Sequence, residues 1–192
     1  EATVAGIEFL PWPEHPARYR IAEYRGHLAA MAVTNPVLDL ALDVLGQRAP
    51  TTPRRTLVHA DFRLGNVLVE RGALSAVLDW EFAGYGDPLE DLGWFLGRYW
   101  RFGRWHVEAG GLASKAAFVE AYEAAAGVAV DPAALLYWQL MGTVRWAVIA
   151  LQQAARHYPA GEPSLELALT GAVLPQVEWD LLDLIEALDG DR

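Results

Sequence analysis

Apolar residues recur at helical spacing toward both ends of the chain, and switch to short extended runs only in the middle. Tyr19, Ile21, Tyr24, Leu28 and Met31 predict a helix from Pro16 to about Val33, with Pro16 suited to its first turn. Thr34, Asn35 and Pro36 punctuate, and a second helix over about 36–46 stops at Gly46. Residues 47–55 carry two Pro and three Arg and predict a loop. Thr56-Leu57-Val58, Asn66-Val67-Leu68-Val69 and Leu74 to Leu78 then read as strands. Glu70-Arg71-Gly72 forms the turn between the last two, so small hairpins with a polar loop before them are expected.

After Gly86 the helical period returns. Asp87 suits an N-cap, Pro88 the first helical position, and Glu90 completes a capping-box pattern for a helix carrying Leu92, Trp94, Phe95, Leu96 and Tyr99. Gly103 to Gly111 is a loop. Ser114 can cap a helix ending at Gly127, and Asp131-Pro132 opens a long one ending near His157, with Pro159 beyond. Ser164 to Leu188 predicts two amphipathic helices divided at Pro175. The first 14 residues, with Pro11 and Pro13, form an irregular lead-in. The fold class is therefore α+β, mainly α, with one small β island and no internal repeat.

Composition narrows the chemistry. The 192 residues suffice for one domain or a large lobe, and 53 % are hydrophobic, enough for a packed core. The net charge of −10 argues against a nucleic-acid partner. Without Cys there are no disulfides or thiolate metal sites. The longest apolar region, Leu135 to Leu151, is interrupted by Gln139, Thr143 and Arg145, so no membrane span is expected, and the chain reads as cytoplasmic. There are 14 Arg and a single Lys, Lys115.

The candidate chemistry sits on the β island, in His59-Ala60-Asp61-Phe62-Arg63-Leu64-Gly65-Asn66, Leu78-Asp79-Trp80-Glu81 and Gly86-Asp87-Pro88-Leu89-Glu90-Asp91. Asp61 and Asn66 bracket a loop between two strands, and Asp79 ends the following strand. Magnesium takes hard oxygen ligands, commonly one or two side chains plus substrate phosphates, which suits Asn66 and Asp79. Asp61 is then free to accept a proton from an attacking hydroxyl. An Asp, an Asn five residues later and a further Asp are the parts of the phosphoryl-transfer template of kinases. Any one of them is an ordinary turn residue; the ordered set is specific.

These motifs resemble the aminoglycoside phosphotransferase and choline kinase superfamily, which shares the protein-kinase fold. The pattern from His59 to Asn66 and Leu78-Asp79-Trp80-Glu81, with Trp100-Arg101-Phe102-Gly103 and Thr143-Val144-Arg145-Trp146, is most similar to phosphotransferases associated with acyl-CoA dehydrogenases. The resemblance covers residues 55–158. It implies a kinase-like C-terminal lobe over 15–192, with a catalytic core at 56–101, substrate-side helices at 112–158 and C-terminal helices at 164–188. It also implies ATP as co-substrate (GTP is an alternative), Mg²⁺, and a small-molecule hydroxyl acceptor. Asp61 matches the catalytic base, and Asn66 and Asp79 the metal ligands. Leu68 and Leu78 match apolar positions under the adenine, and Asp91 a brace for the catalytic loop. His59 matches a residue that props that loop.

Ala60 stands where the family usually has Gly. A Gly-rich phosphate loop, a strand Lys and its partner Glu are absent upstream of His59, and Lys115 comes too late to replace that Lys. The resemblance assigns those parts to an N-terminal lobe before Glu1, so residues 1–14 are expected to lead out of that lobe and this stretch alone to be inactive. Homodimerisation is left open.

Other residues have competing readings. Arg63, two residues past the base, can stabilise charge on the transferring phosphoryl group. Asp87 reads as a helix cap and His59 as a structural histidine. Glu81 can hold a metal-linked water or face solvent. Trp94, Trp100, Arg98, Arg101 and Arg145 are candidates for an acceptor pocket. Core packing of the aromatics and surface ion pairs for the arginines are the alternatives. The run 98–106 contains Arg, Trp and Phe but no carboxylate, which favours a less polar or anionic acceptor such as a hydroxyacyl-CoA or hydroxy acid over an aminoglycoside. An antibiotic kinase and an idle nucleotide-binding module are the rival functions.

Overall fold

In the computed structural model, which describes residues 7, 9–50, 55–158 and 161–190, the elements run α1 (Pro16–Ala30), α2 (Pro36–Gln47), β1 (Thr56–Val58), β2 (Val67–Glu70), β3 (Ala73–Val77), β4 (Gly84–Gly86), α3 (Leu89–Phe95), α4 (Lys115–Ala126), α5 (Pro132–His157), α6 (Leu165–Ala172) and α7 (Leu174–Gly190). They pack as two compact units. One comprises residues 1–17 and 51–130, the other 18–50 and 131–192. The stretch 112–158, read from sequence as one block of substrate-side helices, divides between them at 130/131. Pro159 and the loop residues 51–54 lie outside the described residues.

The first unit holds two antiparallel pairs. β2 and β3 form the expected hairpin, Val67 opposite Val77, with a bulge between Leu68 and Val69. β1 pairs with β4, Thr56 opposite Gly86 and Val58 opposite Gly84. β4 was not anticipated, because Gly84-Tyr85-Gly86 has neither alternation nor β-branched residues. Its pairing draws the chain on both sides of the hairpin together and leads directly into α3. Phe62, Phe95 and Phe118 follow one another in ring contact at 5.3 and 4.9 Å, tying the loop after β1 to α3 and α4. Trp12 and Pro13 of the lead-in pack within this unit: Trp12 lies on Tyr85 at 4.4 Å, and Arg55 sits over Trp12 and donates to the Pro13 carbonyl.

The second unit is helical. α5 contributes Leu135, Trp138, Leu140, Met141, Val144 and Val148 to its core, against α2, α6 and α7. Leu38, Ala41, Leu42 and Leu45 of α2, and Val177 and Leu181 of α7, are buried there too. α5 is long and apolar enough by length and composition to cross a membrane, but much of its surface is buried within this unit, as in a core helix. Caps set the boundaries as expected. Asn35 accepts from the Val37 and Leu38 N–H groups, and Asp131 from that of Ala133. α1 ends earlier than its apolar spacing suggests, at Ala30, and closes through left-handed Ala32. α6 and α7 part at Val173 and not at Pro175, which lies in the first turn of α7, where a missing N–H removes no intrahelical bond.

Candidate active site

The loop after β1 is shaped by a carboxylate from α3. Asp91 accepts hydrogen bonds from the backbone N–H groups of His59 and Ala60, both at 2.7 Å. Ala60 is thereby held at φ 61°, a left-handed conformation that favours glycine. The chain turns there so that Asp61 leaves the strand direction and faces Asn66.

Asn66, buried at the end of a short 3-10 turn (Leu64–Asn66), donates from Nδ2 to the Asp61 carbonyl at 2.9 Å and to Asp61 Oδ2 at 2.7 Å. These two bonds fix which way the amide points, and Oδ1 accepts no hydrogen bond from the described residues. Arg63 Nε also approaches Asp61 Oδ2, at 3.3 Å. The other carboxylate oxygen of Asp61 accepts from the Trp94 indole N–H at 3.1 Å. Three side-chain donors therefore reach one carboxylate.

Asp79 is placed by the backbone of the preceding residue. The Leu78 N–H donates to the Asn66 carbonyl at 2.8 Å, extending the β2–β3 ladder by one step. The Leu78 carbonyl accepts from His59 Nε2 at 2.7 Å, while His59 Nδ1 accepts the Asp61 N–H at 3.1 Å. A carbonyl can only accept and an amide N–H can only donate, so this geometry selects the neutral imidazole with its proton on Nε2. Both ring nitrogens are committed, the ring is buried, and it packs on Trp80 at 4.7 Å. His59 thus links the Asp61 loop to the strand end that carries Asp79. Asp79 follows at φ 61°, ψ 55°, a left-handed conformation imposed on a non-glycine residue. Its carboxylate is exposed and has no hydrogen-bond or ion-pair partner among the described residues.

Asn66 and Asp79 offer one amide oxygen and one carboxylate at the same end of the hairpin. That donor set suits Mg²⁺, which keeps waters and phosphate oxygens in its shell. Among the described residues no cluster of three or more His, Asp or Glu side chains forms a closed protein cage for a metal. Leu68 and Leu78 are 49 % and 42 % exposed, and Trp80 and Phe82 are also open, so the hairpin presents an apolar surface beside the metal-ligand candidates. Glu81 faces solvent in the 3-10 turn Trp80–Phe82.

The remaining candidates separate. Asp87 is buried and accepts the Leu89 N–H at 2.9 Å, a capping bond at the start of α3. Arg101 donates to the Trp105 and Leu96 carbonyls at 2.7 and 3.2 Å, so its guanidinium ties the loop after α3 together. Arg98 is exposed, with its guanidinium over Trp105 at 6.0 Å. Arg145 lies on α5 of the second unit. Trp100 is half-buried, but Trp94 is only 3 % exposed. That corrects the reading of Trp94 as a pocket wall: it has almost no surface to offer a substrate. Its contact with Asp61 escaped sequence reasoning because an aromatic on an apolar helix face reads as core. The one available signal is its spacing of three residues from Asp91, which puts both on one face of α3.

Comparison with known proteins agrees with this architecture. The Phosphotransferase enzyme family matches residues 6–138, more than half of the chain. Acyl-CoA dehydrogenase family member 10 of Mus musculus is 39 % identical over 66 residues, which is 33 % of this chain and 6 % of that protein. The 4-hydroxytryptamine kinase of Psilocybe cubensis is 34 % identical over 106 residues, 49 % of this chain and 28 % of that protein. The matched stretch thus spans less than a third of the length of either relative. A solved structure from Ralstonia eutropha, described as a candidate aminoglycoside phosphotransferase, superposes with a TM-score of 0.79 at 19 % identity, covering 95 % of this chain and 59 % of that one. At that identity the likeness concerns the fold, mainly helical with a small antiparallel island, as in kinase-like phosphotransferases. By the extent of the family match, this chain belongs to the phosphotransferase enzyme family.

Proposed function

We propose that this chain carries the catalytic loop of a small-molecule kinase that moves the γ-phosphoryl group of ATP to a hydroxyl. The observation that carries the reading is the Asp61–Asn66 pair. One amide side chain is bonded to both the carbonyl and the carboxylate of Asp61, with the Asp79 strand end tied beside it. Asp61 takes the proton of the acceptor hydroxyl as its oxygen bonds to the γ-phosphorus. The bond from that phosphorus to the β,γ-bridging oxygen breaks, and ADP leaves. Asn66 and Asp79 would hold Mg²⁺, which when bound neutralises charge on the β- and γ-phosphates. Arg63 adds positive charge near the transferring group, and Leu68 and Leu78 supply an apolar floor for the base of the nucleotide.

For the acceptor we favour a hydroxyacyl-CoA or a hydroxy acid. The support is chemical: the run from Arg98 to His106 is basic and aromatic and lacks carboxylates, whereas a polycationic aminoglycoside calls for acidic partners. With Arg101 occupied by backbone carbonyls, Arg98 and Arg104 are the exposed cations of that run.

The test is ADP release from MgATP by the full-length protein against a panel of hydroxyacyl-CoAs, hydroxy acids, aminoglycosides and macrolides. Asp61→Asn serves as control. Turnover with an acyl-CoA or acid that is lost in Asp61→Asn is expected. Turnover confined to the antibiotics would overturn the acceptor assignment, and undiminished turnover in Asp61→Asn would overturn the mechanism.

A further inference from the structure

The donors to Asp61 come from two places. Asn66 and Arg63 belong to its own loop, whereas Trp94 reaches it from α3. The contacts then close on themselves. The Trp94 indole packs on Trp100 with ring centroids 4.9 Å apart. The Arg63 guanidinium lies over the Trp100 ring at 5.3 Å, and Arg63 Nε returns to Asp61 Oδ2. Two glycines leave room for this ring. A Cβ on Gly65 would overlap the Arg63 guanidinium. One on Gly97 would meet the Trp94 carbonyl at 2.9 Å and the Trp100 indole at 3.3 Å.

We infer that Trp94 is a positioning residue for the base, and that Trp94, Trp100 and Arg63 form a clamp fixing the rotation of the Asp61 carboxylate. The inference rests on Asp61 being the base. A carboxylate held through one oxygen can still swing about its Cβ–Cγ bond; bonds to both oxygens from groups on separate elements prevent that. A buried indole suits such a role because it is rigid, donates one hydrogen bond, and cannot accept a proton. The acceptor's proton therefore stays on Asp61 and does not pass into the support. Asp91 and Trp94 share a face of α3, so one helix holds both the backbone of the loop and the side chain of the base. A purely space-filling aromatic would not need its N–H, which makes the inference separable from core packing.

Trp94→Phe keeps a ring against Trp100 but removes the donor together with part of the indole's buried volume, so the double variant with Asp61→Asn is what separates the two effects. In MgATP turnover with the acceptor that gives the highest rate in the panel, or with water where none does, kcat should fall by about 10- to 100-fold, as misplacement of a reacting group commonly costs. KM for ATP should stay within about twofold, because the bond that Trp94→Phe removes runs to the base and not to a metal ligand or the apolar floor. Combined with Asp61→Asn, Trp94→Phe should cost nothing further, since its effect runs through the carboxylate. Trp100→Leu, at a half-buried site that leaves no deep cavity, should lower kcat in the same direction by a smaller factor. In NMR spectra the indole N–H resonance missing from Trp94→Phe should shift in Asp61→Ala and stay put in Arg98→Ala. Three results would overturn the clamp: wild-type kcat in both tryptophan variants, full multiplication of their losses on the Asp61→Asn background, or an indole resonance indifferent to Asp61→Ala. Undiminished turnover in Asp61→Asn alone would instead remove the assignment of the base.

Discussion

Leu38, Leu42, Leu45, Leu140 and Leu181 of the second unit are entirely enclosed by other side chains. In the first unit, the loop from His59 to Asn66 is shaped by directed contacts: two bonds from Asp91, two from Asn66, two through the His59 ring and one from Trp94. Apolar packing is non-directional and additive over area, so the second unit should lose stability in proportion to the volume removed. A hydrogen-bonded loop with left-handed Ala60 and Asp79 specifies geometry at some cost in strain. Damage there should register in rate before it registers in stability.

Exchanging single atoms at Asp61 tests that contrast most severely. Asp61→Asn keeps the volume but removes the proton acceptor, and kcat should drop by roughly 10²- to 10⁴-fold, the usual worth of a general base. Stability should fall by no more than about 1–3 kcal/mol, the loss of one buried acceptor, because an Asn oxygen in the Oδ2 position can still accept from Asn66 Nδ2 and Arg63 Nε, leaving only the Trp94 donor unmatched. A large loss of stability with residual activity would break the comparison. The converse substitution is Leu140→Ala in the core of the second unit. It should cost about 2–5 kcal/mol in urea unfolding, while the molecules that remain folded keep their ATP KM. Loss of nucleotide affinity without loss of stability would mean that the units are not specialised as described.

Asp91→Ala falls between the two. It strips the His59 and Ala60 N–H groups of their acceptor and should cost about 1–3 kcal/mol, together with a fall in kcat. Asp91→Asn should recover part of each, since its oxygen can serve one of the two N–H groups. If both variants were equally stable and equally slow, the brace would matter to the chemistry only, and the left-handed turn at Ala60 would need another cause.

Legibility in the sequence follows the same division. The helices were readable where a side chain closes a local cap, as at Asn35, Ser114 and Asp131, because the signal and its consequence lie within four residues. That Asp61 and Asn66 come together, with Asp79 at the adjoining strand end, was legible from their order and spacing; their roles remain a proposal. Besides the ends of α1 and α6, three features in the first unit were not legible. β4 is held by pairing with β1, a long-range contact that no local pattern in Gly84-Tyr85-Gly86 announces. α3 ends at Phe95, short of the Leu96 and Tyr99 that the helical spacing places in it, and a 3-10 turn over Arg98–Arg101 takes over after Gly97. The third is the bond from Trp94 to Asp61, since an indole N–H on an apolar face gives no sign of its acceptor. Short caps and fixed spacings are local facts, whereas β4 and the Trp94 bond depend on where distant backbone arrives.

Ala60 poses the finest test, because it stands where the family usually has Gly and the structure holds it at φ 61°. The methyl group costs about 1–2 kcal/mol in a left-handed conformation. Against that, Ala60 is buried, and removing one buried carbon forfeits about 0.8 kcal/mol. Glycine also loses about 0.5–1 kcal/mol more chain entropy on folding. These contributions nearly cancel, so Ala60→Gly should change unfolding free energy by less than about 1 kcal/mol and leave kcat within about twofold. Ala60→Val has no such compensation. A β-branched side chain is strained at this φ and must also displace packed neighbours, so a loss of about 2 kcal/mol or more is expected, with a fall in kcat because the Asp91 bonds and the approach of Asp61 to Asn66 shift together. Equal behaviour of the glycine and valine variants would show that the turn at Ala60 is not what aims Asp61, and would leave the aiming to Asn66 and the clamp.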